Sequence, residues 1–192
     1  MRKWKRVQTP DGLRFRSALT PHEALLLKNL IGSVIAMLEQ RESSAPRDEL
    51  EQITGMRTGN AERPGDATLR RLLPDFTAPG DEPGDAKAVD ELNAALRSLH
   101  EPEIIDAKRA AAQHVLASLP EDGGRFELTE EGANEWIAAV NDVRLALGTM
   151  LEITPDGPDE LPDEHPLAPH LDVYQWLTVL QEYLVLALMG SR

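Results

Sequence analysis

Alternation comes first along this chain. Trp4–Val7 and Leu13–Arg16 are two short extended runs that mix apolar and basic residues, and they flank QTPDG. Asp-Gly between such runs predicts a β-hairpin. Trp4 or Val7 then shares a face with Leu13 and Phe15, while the basic side chains point largely the other way. The intervening loop reads as longer than two residues and leaves the register open.

Beyond Leu19 the period changes to that of helices. TPHEALLLKNLIGSVIAMLEQR carries apolar residues at 27, 30, 31, 34, 35 and 38, one helical face. Thr20 as N-cap, Pro21 in the first helical position and Glu23 closing a capping box predict a helix of about 20 residues. SSAPRDELEQITG predicts a second, short helix with Pro46 in its first turn and Gly55 at its stop. DATLRRLLPDF predicts a third, capped by Asp66 and ended before Pro74. Pro102 lacks an N–H and crowds the preceding turn, so AVDELNAALRSLHEPEIIDAKRAAAQHVLASLP divides into helices near 87–99 and 102–119.

PEDGGRFEL reads as a turn with an extended piece of two or three residues. Thr129 caps TEEGANEWIAAVNDVRLALGTMLEI, in which Trp136, Val140, Val143 and Leu147 recur at helical spacing. The final helix is expected from about 173 to Gly190, behind a capping box of Asp172 and Gln175. It is apolar almost all round, which suits a central helix of a bundle better than a subunit interface. The expected fold class is mainly α, a helical bundle of about six helices with a short N-terminal β-hairpin. Residues 1–192 read as a single helical domain, with subdomains 1–76 and 87–192 about an acidic Pro/Gly linker near 77–86 as the alternative.

Charge changes this picture at one end only. The 192 residues hold 20 Lys+Arg and 33 Asp+Glu, a net charge of −13. Yet Arg2, Lys3, Lys5, Arg6, Arg14 and Arg16 face a single Asp11 in the first seventeen residues, MRKWKRVQTPDGLRFRS. A basic ribbon on an acidic chain points to an anionic partner. The competing reading lays the ribbon on the protein's own acidic surface. There is no cysteine, which excludes disulfides, thiolate zinc sites and a thiol switch and fits a cytoplasmic protein. The N-terminus lacks the apolar stretch of a secretory signal. The most apolar segment contains Gln175, Gln181 and Glu182 and falls short of a membrane span.

Catalytic chemistry finds little support. His22-Glu23 begins like a metalloprotease helix but lacks the second histidine four residues on. His100, Glu103 and Asp106, with Lys108 and Arg109, form the densest polar cluster. Carboxylates near a helix start explain it better than a metal or acid–base site. His165 and His170 fall in a Pro-rich loop. No Gly-x-Ser-x-Gly elbow or phosphate-cradling loop occurs. The expectation is a protein that is not an enzyme and needs no cofactor or metal.

The ordered strings MRKWKRV, RFRSALTPHEA, DELEQITG, TLRRLLPDF, ALRSLHEPEIIDAKR, FELTEEGANEWIAAVNDVRLALGTMLEI and HLDVYQWLTVLQEYLVLALMG resemble the actinobacterial AosR family of oxidative-stress transcriptional regulators, formerly a domain of unknown function. The resemblance covers nearly the whole chain and implies a cytoplasmic, mostly helical, non-enzymatic regulator that contacts DNA, the transcription machinery, or both. A member sensing oxidant through a cysteine pair cannot be its model. Redox sensing here would require methionine oxidation or a partner protein, and Met37, Met150 and Met189 read as core. The ribbon is the expected anion contact. The alternative is a protein–protein adaptor without DNA contact, docking through the C-terminal helix or through His100, Glu103, Asp106, Lys108 and Arg109. A protein partner is expected, no membrane, and a homodimer is compatible with the apolar last helix.

Overall fold

The computed structural model describes residues 3–45, 57–78, 85–154 and 164–190, and in them five helices and three strands. It is mainly helical and begins with the expected hairpin, β1 (Lys5–Thr9) and β2 (Gly12–Leu19). The hairpin closes more tightly than its sequence suggests. Thr9 pairs with Gly12, so only Pro10 and Asp11 form the loop. Gly12 supplies a φ of +106° there, and the Thr9 hydroxyl donates to its carbonyl at 2.7 Å. RFEL is no two-residue piece either. β3 (Gly124–Leu128) is a full third strand, antiparallel to β2 with Phe15 opposite Leu128, in the order β1-β2-β3. Gly123 makes that return by a φ of +72° where a Cβ would lie 2.6 Å from the Pro21 nitrogen.

The chain divides into two compact units, Met1–Val34 with Ala110–Arg192, and Ile35–Arg109. The helices α1 (Pro21–Ser43) and α3 (Asp85–Ser118) contribute residues to both; α2 (Ala67–Leu72) belongs to the second. The capping box of α1 is formed. Glu23 accepts from the Thr20 N–H at 2.7 Å, and the Thr20 hydroxyl accepts from the Glu23 N–H at 3.2 Å. Burial pushes the Glu23 carboxyl up, but hydrogen bonds to its charged form, those from Thr20 among them, hold it below its ordinary value.

The first unit packs the inner face of the sheet onto α4 (Glu130–Met150) and α5 (Ala168–Leu188), which also pack on each other. Thr129 caps α4 as expected, accepting from the Gly132 N–H at 3.0 Å. Trp4, Phe126 and Trp136 meet with ring centroids 5.1–5.8 Å apart. The Trp136 indole N–H donates to the Ser118 hydroxyl at 2.7 Å. Around them Phe15, Leu27, Ile31, Val115, Val140, Leu177, Leu180 and Leu184 are buried, each large apolar side chain contributing about 1.5–3 kcal/mol. α5 starts earlier than its supposed capping box. Pro169 stands in its first turn, the helix has no side-chain cap, and Asp172 and Gln175 lie inside it, exposed. The fixed φ of proline initiates the helix before the acid is reached. α5 is also one-sided. It buries Leu177, Leu180 and Leu184 and exposes Val179, Leu186 and Met189.

In the second unit α2 is capped by Asp66, whose carboxylate accepts from the Leu69 N–H at 2.8 Å. The two helices expected about Pro102 are instead one, α3, with Pro102 inside it. The carbonyl that proline leaves without an intrahelical donor is that of Ser98, and the Gly59 N–H supplies one at 2.8 Å. That close approach requires glycine, because a Cβ on residue 59 would sit 2.9 Å from both the Arg97 carbonyl oxygen and the Pro102 ring. Most of the short helix expected over SSAPRDELEQITG lies outside the described residues, as does most of the segment near 77–86.

Candidate functional site

The register of the sheet sorts the basic ribbon. Lys5 stands opposite Arg16 and Arg16 opposite Glu127, while Val7 faces Arg14 and Ala18 faces Arg125. Because alternate residues share a face, Lys5, Arg14, Arg16 and Arg125 all lie on the outer side of the sheet. Lys3 joins them. With Lys5, Arg16, Arg125 and Glu127 it lines an open groove of about 630 Å³. Its ammonium lies 5.2 Å from the Tyr183 ring centroid. Arg6 is separated from the others by the same alternation and lies against Gly190, just past the C-terminal end of α5. There a cation is favourable. Arg2 lies outside the described residues.

Five cations thus meet one carboxylate on this face. Glu127 pairs with Arg16 at 2.8 Å, with both side chains about half exposed. Lys3, Lys5, Arg16 and Arg125 are exposed, Arg14 less so. Among the described residues, the cations of this face other than Arg14 are therefore open to solvent. Lys5 directly opposite Arg16 is a like-charge cross-strand pair, an arrangement that costs stability in a sheet. Arg125 is the residue missed in the sequence. It belongs to the ribbon only through β3 pairing, and nothing local marks RFEL as the neighbour of RFRSAL.

The cluster at His100–Arg109 is organised differently. Glu101, passed over in favour of Glu103, is its buried member. Arg41 donates to Glu101 from Nε at 2.6 Å and from Nη2 at 3.2 Å, and also to the carbonyls of Asn60 and Glu62. Arg57 pairs with Glu42 and Asp106, and Arg109 with Glu39 and Glu42. Asp75 holds both Arg63 and the buried Arg97. Burial lowers the pKa of that Arg97; the Glu101 charge opposes this, and Arg63 and Arg41 add to it. Asn93 closes the set, accepting from the Phe76 and Thr77 N–H groups and donating to the Thr77 carbonyl.

His100 and Glu103 do not converge. His100 lies beside the Phe76 ring, centroids 6.0 Å apart, and Glu103 is exposed. Asp106 and Arg109 are committed to ion pairs within the unit, and Lys108 is half-buried. His114 pairs with Glu135 at 2.9 Å. Among the described residues no group of three or more His, Asp or Glu is placed to hold a metal ion, and no helix is long and apolar enough to cross a membrane. Met150 and Met189 are exposed, not core; each sits at the end of a helix, beyond the residues its neighbours cover.

Comparison with known proteins adds a family. A model described as a domain of unknown function, DUF2017, matches residues 1–188. Proteins of Mycobacterium tuberculosis and Mycobacterium bovis named oxidative stress regulator AosR are 68% identical over 196 residues, covering 100% of this chain and 90% of their own length. A Mycobacterium leprae protein named putative oxidative stress regulator AosR is 64% identical with the same coverage. No solved structure matches.

Proposed function

The chain belongs to the DUF2017 family, together with the mycobacterial AosR oxidative stress regulators, and on that footing we propose that it is a non-enzymatic transcriptional regulator of the oxidative-stress response whose outer sheet face grips the DNA backbone. One observation carries the contact. Lys3, Lys5, Arg14, Arg16 and Arg125 share a face on which Glu127 is the one acid of the three strands, on a chain of net charge −13. Glu127 offsets only part of that charge, so the like-charge pair of Lys5 and Arg16 is relieved further when an anion sits over the face. Phosphates are such anions, and a strip of cations on a rigid sheet positions a duplex without reading its bases.

The test is duplex-DNA binding at two salt concentrations, for the wild type and for a variant with those five cations changed to Gln. Salt-sensitive binding that the variant loses supports the reading. Glu127→Gln removes the competing carboxylate and is expected to tighten binding. Absence of binding by the folded wild type would turn the protein into an adaptor that reaches the transcription machinery without touching DNA.

A further inference from the structure

Within the second unit most of the paired arginines are matched by acids of their own. Arg41 is held by Glu101, Arg57 by Glu42 and Asp106, and Arg109 by Glu39 and Glu42. Around Asp75 the ratio reverses. That one carboxylate serves Arg63, at 3.0 Å, and the buried Arg97. Arg70 lies at the same place, exposed, and its guanidinium makes no hydrogen bond or ion pair among the described residues.

These side chains border a cavity. Arg63, Arg70, Asp75 and Thr77 line about 340 Å³ of open space, with Leu73 and Pro74 as its apolar side. Its walls are fixed from several directions. Asp66 caps α2, which carries Arg70. Asn93 of α3 clamps the backbone of Phe76 and Thr77, and Arg97 of the same helix holds Asp75. Three guanidinium groups thus share one carboxylate, an excess of positive charge on a chain of net charge −13. Burial lowers the Arg97 pKa, the Glu101 charge raises it, and Arg63 and Arg41 lower it again. A further anion nearby relieves that repulsion.

The excess suits a doubly charged anion, and guanidinium forks bind phosphate oxygens in pairs. The volume stands near the lower end of the range for small-molecule sites, about 300–1,000 Å³. That leaves room for one phosphate and a short carbon skeleton. We propose that this cavity binds a small phosphate monoester, its phosphate between Arg63 and Arg70 and its carbon skeleton against Leu73 and Pro74. Every residue lining the site belongs to the second unit, so it is separate from the outer face of the sheet.

Because the outer sheet face also attracts anions, the titration uses the full chain with Lys3, Lys5, Arg14, Arg16 and Arg125 changed to Gln. Calorimetry at constant ionic strength is expected to show one saturable site for inorganic phosphate, with glycerol 3-phosphate binding more tightly. Arg70→Gln is expected to weaken both at least tenfold. Its guanidinium has no partner in the fold, so the variant folds, which circular dichroism checks. Arg71→Gln, at an exposed neighbour outside the cavity, is expected to bind as before. The proposal is overturned by the absence of saturable binding, by binding indifferent to Arg70→Gln, or by equal loss in Arg71→Gln. Binding that emerges only after Asp81→Asn with Glu82→Gln, acids that follow Ala78 in the sequence, would overturn it too, by making the cavity a seat for the chain itself.

Discussion

Glu101 and Arg41 are 3% and 6% exposed and bonded to each other through both carboxylate oxygens. Two charges so far from water are stable only while each satisfies the other, and here two backbone carbonyls complete the shell of the guanidinium. Removing one partner strands the other. Glu101→Leu is expected to cost about 3–5 kcal/mol in urea denaturation. Glu127→Gln breaks the half-exposed pair with Arg16 and is expected to change stability by less than about 1 kcal/mol. Equal losses from the two variants would contradict the burial seen here. In the sequence nothing next to either glutamate marks one as buried and the other as exposed. Solvent exclusion, which separates them, depends on residues sixty positions away.

At the scale of elements, the second unit turns on the proline in α3. A mid-helix proline ordinarily ends or kinks a helix, because one N–H is missing and the ring crowds the preceding turn. Here the Ser98 carbonyl finds its donor in Gly59, and the helix continues. Gly59→Ala is expected to push that loop off the helix, with a cost of about 1–3 kcal/mol from the unsatisfied carbonyl. Thermal or urea unfolding would register it, and an unchanged midpoint would mean that the loop does not support the helix.

Over the whole molecule the arrangement of charge matters more than its total. A chain of net charge −13 repels a polyanion on average, so any DNA contact must be confined to the outer sheet face and must weaken steeply with salt. Each phosphate neutralised there adds about 0.9 to the slope of log K against log salt, and five cations bound the slope at about 4–5. A much steeper dependence would place contacts elsewhere on the chain. A measurable affinity in the five-Gln variant would do the same.

Most elements were legible because their signals are local. The capping box Thr20/Glu23, the Asp66 and Thr129 caps and the Asp-Gly of the hairpin each act within a few residues, and all form where the sequence places them. Five of the ribbon's six basic residues were equally plain as composition and fall within the described residues; their division between two faces was not. Apart from the Asp172/Gln175 capping box, displaced by Pro169 in the first turn of α5, what failed needed a distant partner. β3 is a strand because β2 lies beside it, Arg125 joins the basic face only through that pairing, and Pro102 is tolerated only because Gly59 reaches Ser98. Sequence by itself determined where α1, α2 and α4 begin and where positive charge collects, since caps and charge counts are properties of neighbouring residues. Tertiary structure alone decided which cations share a surface, which carboxylate is buried and which side of α5 stays open, because pairing, desolvation and exposure arise only when remote segments meet.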